Sequence, residues 1–73
     1  MGLIHKLDRT GDTKTEWNPA DPEEVRAARE VFDTLRKQGY AAARMEGETA
    51  GEIIREFDPS AGVVVMMPAM QGG

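Results

Sequence analysis

Polar and apolar residues alternate over the first segment of the chain, Met1-Gly-Leu-Ile-His-Lys-Leu-Asp. Leu3, His5 and Leu7 fall on one side and Ile4 and Lys6 on the other, which predicts a short half-buried strand. Arg9-Thr10-Gly11-Asp12 is a turn signal, with Gly11 able to take a positive φ. Thr13, Thr15 and Trp17 then alternate with Lys14 and Glu16, a second strand with β-branched and aromatic residues on one face and charges on the other. Two such strands joined by a short Gly-containing loop predict an antiparallel hairpin.

Asn18-Pro19-Ala20 interrupts the alternation, and Asp21-Pro22-Glu23-Glu24 starts a helix. Asp21 suits the N-cap, Pro22 the first helical position, and Glu24 the third position of a capping box. Val25, Ala28, Phe32 and Leu35 form one apolar stripe, widened by Val31. Arg26 with Glu30, Arg29 with Asp33, and Asp33 with Lys37 stand four residues apart, the spacing of surface ion pairs. Arg36 and Lys37 fall in the last turn, where cations suit the helix dipole. Gly39 stops the helix in the left-handed region, and Tyr40 packs back on the last turn.

Tyr40 to Met45 is small and apolar and predicts a third strand. Residues 46–51 read as a loop, and residues 53–57 as either a short strand or one helical turn. Asp58-Pro59-Ser60-Ala61-Gly62 is a turn signal. Val63-Val-Val-Met-Met67 is apolar without interruption, which predicts a strand buried on both faces and therefore central in its sheet. Pro68 ends it, because proline has no N–H for the ladder. Residues 69–73 read as a flexible tail beyond a single domain of residues 1–68.

This order predicts an α+β fold: a hairpin, a helix laid across one face of a mixed sheet, and a central C-terminal strand parallel to the first. That is the β-grasp arrangement. A ferredoxin-like half and a simple α+β roll use similar elements.

Composition narrows the function. At 73 residues and 8.0 kDa the chain holds one small core and no deep pocket of its own. It has no Cys, which excludes disulfides, thiolate metal sites and Cys nucleophiles, and a single His cannot build a metal cluster. Nine Lys and Arg against thirteen Asp and Glu give a net charge of −4. That disfavours nucleic acid, whose phosphates want a basic face. No apolar run has the length of a membrane span and no signal-peptide pattern opens the chain, so the expectation is a cytoplasmic protein with no membrane partner, monomeric or weakly oligomeric. No nucleophile–base–orienter set is present, so no enzyme is expected. His5 reads as a surface residue, Trp17 as a core or rim anchor, and the helix charges as a solvated face. Glu46, Glu48, Glu52 and Glu56 lack calcium-loop spacing, and residues 47–51 lack the ending of a phosphate loop. No cofactor or metal is expected.

The terminal segment, Phe57-Asp-Pro-Ser-Ala-Gly-Val-Val-Val-Met-Met-Pro-Ala-Met-Gln-Gly-Gly73, resembles the end of a ubiquitin-like sulfur carrier. It is similar to the small subunit of molybdopterin synthase and the thiamine-pathway sulfur carrier. In those families a turn leads into a hydrophobic last strand, often followed by Pro, and the chain stops at Gly-Gly. Val63 to Met67 match the strand, Pro68 the proline, and Gly72 and Gly73 the terminus. Chain length and element order match as well. The loop at residues 18–22 and the long capped helix are more elaborate than in compact sulfur carriers, and an Arg-rich tail of the ubiquitin type is absent.

The resemblance implies a carrier or modifier. An activating enzyme would adenylate the Gly73 carboxylate, and a downstream acceptor would receive sulfur or form an isopeptide bond. Gly72 and Gly73, having no side chains, would thread a narrow nucleotide site. Partners would bind the sheet face opposite the helix, with Ile4, Met66, Pro68 and Met70 as candidate contacts. The rival reading is a non-enzymatic interaction or assembly module, such as a small accessory or virion-associated protein of similar fold.

Overall fold

A computed structural model of the chain describes residues 1–8, 11–46 and 49–69. Among these, the elements run β1 (Gly2–Asp8), β2 (Gly11–Trp17), α1 (Pro22–Lys37), β3 (Tyr40–Glu46), β4 (Thr49–Ile54) and β5 (Val63–Pro68). The strands form one mixed sheet in the order β2-β1-β5-β3-β4. β1 and β2 are an antiparallel hairpin, with Gly2 opposite Trp17 and Asp8 opposite Gly11. β5 lies in the middle, parallel to β1 and antiparallel to β3. The chain is therefore α+β: one helix over one face of a five-stranded sheet. The hairpin, the helix and the central last strand stand where the sequence puts them.

Capping fixes the start of α1. The Asp21 carboxylate accepts from the Glu23 and Glu24 backbone N–H groups at 3.0 and 3.4 Å. Glu24 does not close the box on Asp21, however. The Asp21 N–H is already donated to the Asn18 carbonyl at 2.9 Å, and Glu24 Oε1 reaches back to the Asn18 N–H at 2.9 Å. The expected box thus becomes a wider clasp that ties the helix start to the end of β2. At the other end Gly39 sits at φ +96°, the left-handed region that ends the helix. The three surface ion pairs expected along α1 do not close. Ion pairs within 4.0 Å among the described residues are instead His5–Asp12, Arg44–Glu52 and Arg44–Asp58. Long exposed side chains lose about as much rotamer freedom as a solvated pair returns.

The stripe on α1 delivers Ala28, Phe32 and Leu35 into the core, where they meet Ile4, Trp17, Ala42, Phe57, Val64 and Met66. Trp17 is fully buried and stands edge-on to Phe57 at 4.9 Å between ring centroids; Phe57 tilts against Phe32 at 5.8 Å. The Trp17 indole N–H donates to the Pro59 carbonyl at 3.1 Å, tying the loop before β5 to the end of β2. A Cβ on Gly2 would fall inside the Trp17 indole. Gly2→Ala is therefore expected to lose about 1–3 kcal/mol through overpacking, read as a lowered urea midpoint with unchanged slope.

Two local expectations change. Residues 46–51 are not all loop, because β4 begins at Thr49 and ends at Ile54, which leaves Arg55 onward outside the strand. The pairing is irregular: Arg44 faces Glu52 but Met45 faces Ala50, leaving Gly51 as the extra residue of a bulge. That irregularity breaks the alternation by which the strand would be recognised. The second change concerns β5. Val64 and Met66 are fully buried, but Val63 and Val65 are only partly so and Met67 is 40% exposed. Its apolar run reflects burial on one face and an uncovered apolar surface on the other.

Candidate functional site

The register of the sheet sorts every strand residue onto one of two faces. Trp17, Gly2, Ile4, Val64, Met66, Ala42 and Ile54 share the face under α1. Leu3, His5, Leu7, Val63, Val65, Met67, Ala41, Ala43, Met45 and Ile53 share the other. On this second face Leu7, Met67 and Ile53 are exposed by 36, 40 and 69%, while Leu3, Val63 and Val65 are partly buried and Ala43 is buried. Its β2 margin carries Glu16 opposite Leu3, Lys14 opposite His5 and Asp12 opposite Leu7. His5 Nε2 lies 3.2 Å from Asp12 Oδ2 across the hairpin.

This placement corrects two expected contacts. Ile4 and Met66 were expected on the open face; they lie in the core at 1 and 0% exposure and have no surface to offer a partner. Their chain neighbours Leu3, Val65 and Met67 take that place. The parity was readable in principle. Trp17 must be buried, and it stands opposite Gly2 across the hairpin, which turns Ile4 inward. Within Leu3-Ile4 and Val63-Met67 themselves, both faces are apolar and nothing in the composition marks the phase.

Pro68 is exposed at the end of β5, opposite Tyr40. The next residue is still held: the Ala69 N–H donates to the Gly39 carbonyl at 3.0 Å. Two cations flank this point. Arg36 Nη1 donates to the Tyr40 carbonyl at 3.3 Å, and Lys6 Nζ stands 5.6 Å from the Tyr40 ring centroid. The chain thus leaves the sheet centre beside the basic end of α1. Met70, Gly72 and Gly73, expected to carry partner contact and activation, lie outside the described residues.

A third cluster anchors the loop between β4 and β5. Asp58 Oδ1 accepts from Ser60 Oγ at 2.6 Å and from the Ser60 N–H at 2.9 Å, while Asp58 Oδ2 accepts from Arg44 Nη1 at 3.2 Å. The Ser60 hydrogen bonds, and then Arg44, hold the Asp58 carboxyl below its ordinary value. A depressed carboxylate pKa contributes stability above the unfolded value of about 3.9, and that contribution is lost as pH falls through the folded value. Thermal midpoints should therefore drop on acidification below about pH 4. In Asp58→Asn the acid-side drop should be shallower. An identical acid limb in both proteins would contradict this role.

No group of three or more His, Asp or Glu among the described residues could hold a metal ion. No helix of the described residues is long and apolar enough to cross a membrane. No family model matches the chain, and no curated protein and no solved structure matches it either.

Proposed function

We propose that this is a β-grasp, ubiquitin-like carrier or modifier that works through Gly73. The observation that carries the reading is the way β5 ends. It is the central strand, it runs parallel to β1, and the last described anchor of the chain is the Ala69–Gly39 hydrogen bond. Met70-Gln-Gly-Gly73 follows that anchor in sequence. In this reading Gly73 is the terminal residue. Its carboxylate attacks the α-phosphorus of ATP in an activating enzyme, pyrophosphate leaves, and an acyl adenylate results. A partner's amine, or the outer sulfur of a partner's persulfide, then attacks the carbonyl and AMP leaves; in the sulfur case a second thiol of the partner cleaves the acyl disulfide, forming the partner's disulfide and freeing the thiocarboxylate. Apart from that attacking carboxylate the reading asks no acid or base of the chain; it presents an end and a surface. The apolar face of Leu3, Leu7, Val63, Val65 and Met67 is the surface by which the activating enzyme and the acceptor would hold it; Pro68, two residues after Met66, falls on the α1 side at the end of β5.

An amino-terminally tagged chain returned to its own host tests this. The account expects either a Gly73 thiocarboxylate or covalent adducts that survive denaturing electrophoresis, and the complete loss of whichever is found when Gly72 and Gly73 are deleted. Adducts that persist after the deletion, or an intact chain that shows neither product, would count against activation at Gly73.

The exposure of Leu7, Met67 and Ile53 favours a second reading as well, a module that assembles with a partner without covalent chemistry. It predicts a stable complex indifferent to loss of the last two glycines.

A further inference from the structure

Among the described residues, nothing pairs with β4 on the side away from β3. An open sheet edge accepts an added strand unless charges, prolines or bulges block it. The opposite edge, β2, is blocked by Asp12, Lys14 and Glu16, alternating with threonines. On β4 the bulge at Gly51 disturbs only the first half of the strand. Beyond it, Glu52, Ile53 and Ile54 run without proline or lysine, and Ile53 is 69% exposed. A shallow concavity of about 580 Å³ is lined by the chain from Glu52 to Pro59, Ile53 included. Open backbone, an exposed apolar side chain and a groove therefore coincide.

Charge selects the occupant. From Glu46 to Asp58 the sequence holds five acids and one arginine, a net of −4, which equals the net charge of the whole chain. The remainder is balanced, eight cations against eight anions. A second copy pairing edge to edge would set this charge against itself, so self-association is the disfavoured use of β4. We propose that the β4 edge, from Glu52 onward, takes an extended cationic segment of another protein as an added strand. The register also sets the pattern of that segment. Glu52 shares its face with Arg44, which bridges Glu52 at 3.3 Å and Asp58 at 3.2 Å, one cation between two carboxylates. Ile53 is on the opposite, open face. A bound strand would turn lysine or arginine toward Glu52 and Asp58 and apolar residues toward Ile53, in alternation. This docking is separate from any chemistry at Gly73 and stands or falls without it.

The test is a titration of the isotope-labelled chain, followed by backbone amide NMR, with two synthetic peptides: alternating Lys-Val and alternating Glu-Val. The lysine peptide should shift amides of residues 51–56 and slow their hydrogen exchange. It should bind at least about tenfold more tightly than the glutamate peptide, and more weakly as salt rises. Ile53→Lys and, separately, Glu56→Lys should each weaken binding several-fold while the far-ultraviolet spectrum and thermal midpoint stay put. Because both side chains are exposed, the two substitutions do not disturb the core. Shifts confined to β2 or to the open-face residues of β1 and β5, equal binding of both peptides, or concentration-dependent dimers that Ile53→Lys abolishes would each overturn the proposal.

Discussion

Replacing Trp17 with alanine should cost about 3–5 kcal/mol, the largest loss of any truncation to alanine in the core. The side chain is fully buried, shapes the space over Gly2, and stacks edge-on against Phe57. Its N–H is also the direct tie between the end of β2 and the loop at Pro59. Alanine would leave a cavity that the surrounding strands cannot close and a carbonyl without that donor. A domain of this size has stability near the low end of about 5–15 kcal/mol, so most of the folded population is at risk. Trp17→Phe separates the two contributions. It restores much of the packing and gives up the hydrogen bond, worth about 0.5–1.5 kcal/mol. Urea unfolding followed by circular dichroism measures both. An alanine variant within about 1 kcal/mol of the parent would contradict the placement of this residue at the centre of the core.

The second large effect comes from adjacent residues with opposite fates. Met66→Asp places a carboxylate at a fully buried position facing α1, and the protein should fail to fold, since an unpaired charge there costs several kcal/mol. Met67→Asp places the same carboxylate on the open face at a position already 40% exposed. That variant should keep its thermal midpoint but lose the thiocarboxylate or adducts expected in the host, because the apolar docking face now carries a charge in its middle. Thermal melts and adduct formation, measured side by side, decide it. A folded Met67→Asp protein with full adduct formation would remove the open face from the account. Leu7→Asp should repeat the Met67→Asp result from β1.

Much of this architecture is legible in the sequence, for identifiable reasons. Asp21, Pro22 and Gly39 are strong punctuation, and the stripe from Val25 to Leu35 has only one helical reading. Thr13, Thr15 and Trp17 set the phase of β2 because their neighbours are charged. Where both faces of a strand are apolar the phase disappears, which is why Ile4 and Met66 read as surface and lie in the core. β4 was hidden for another reason. Its alternation is broken at Gly51, and among the described residues its outer edge meets no partner strand. Glu24 shows a limit of motif reading: the spacing of a capping box was present, but the donor it needed was already engaged by Asn18. Of the candidate site, Pro68 stands exposed at the end of the central strand. The face beside it is apolar as expected, although other residues supply it.

The measurement that bears most directly on the account is the intact mass of the chain recovered from its own host, with fragmentation to locate any change. The account predicts a fraction whose terminal Gly73 carries sulfur in place of one carboxylate oxygen, or is joined through its carbonyl to an acceptor amine. Deletion of Gly72 and Gly73 should abolish both species. A chain that continues past Gly73, or one recovered only with an unaltered carboxylate while its activating partners are present, would contradict it.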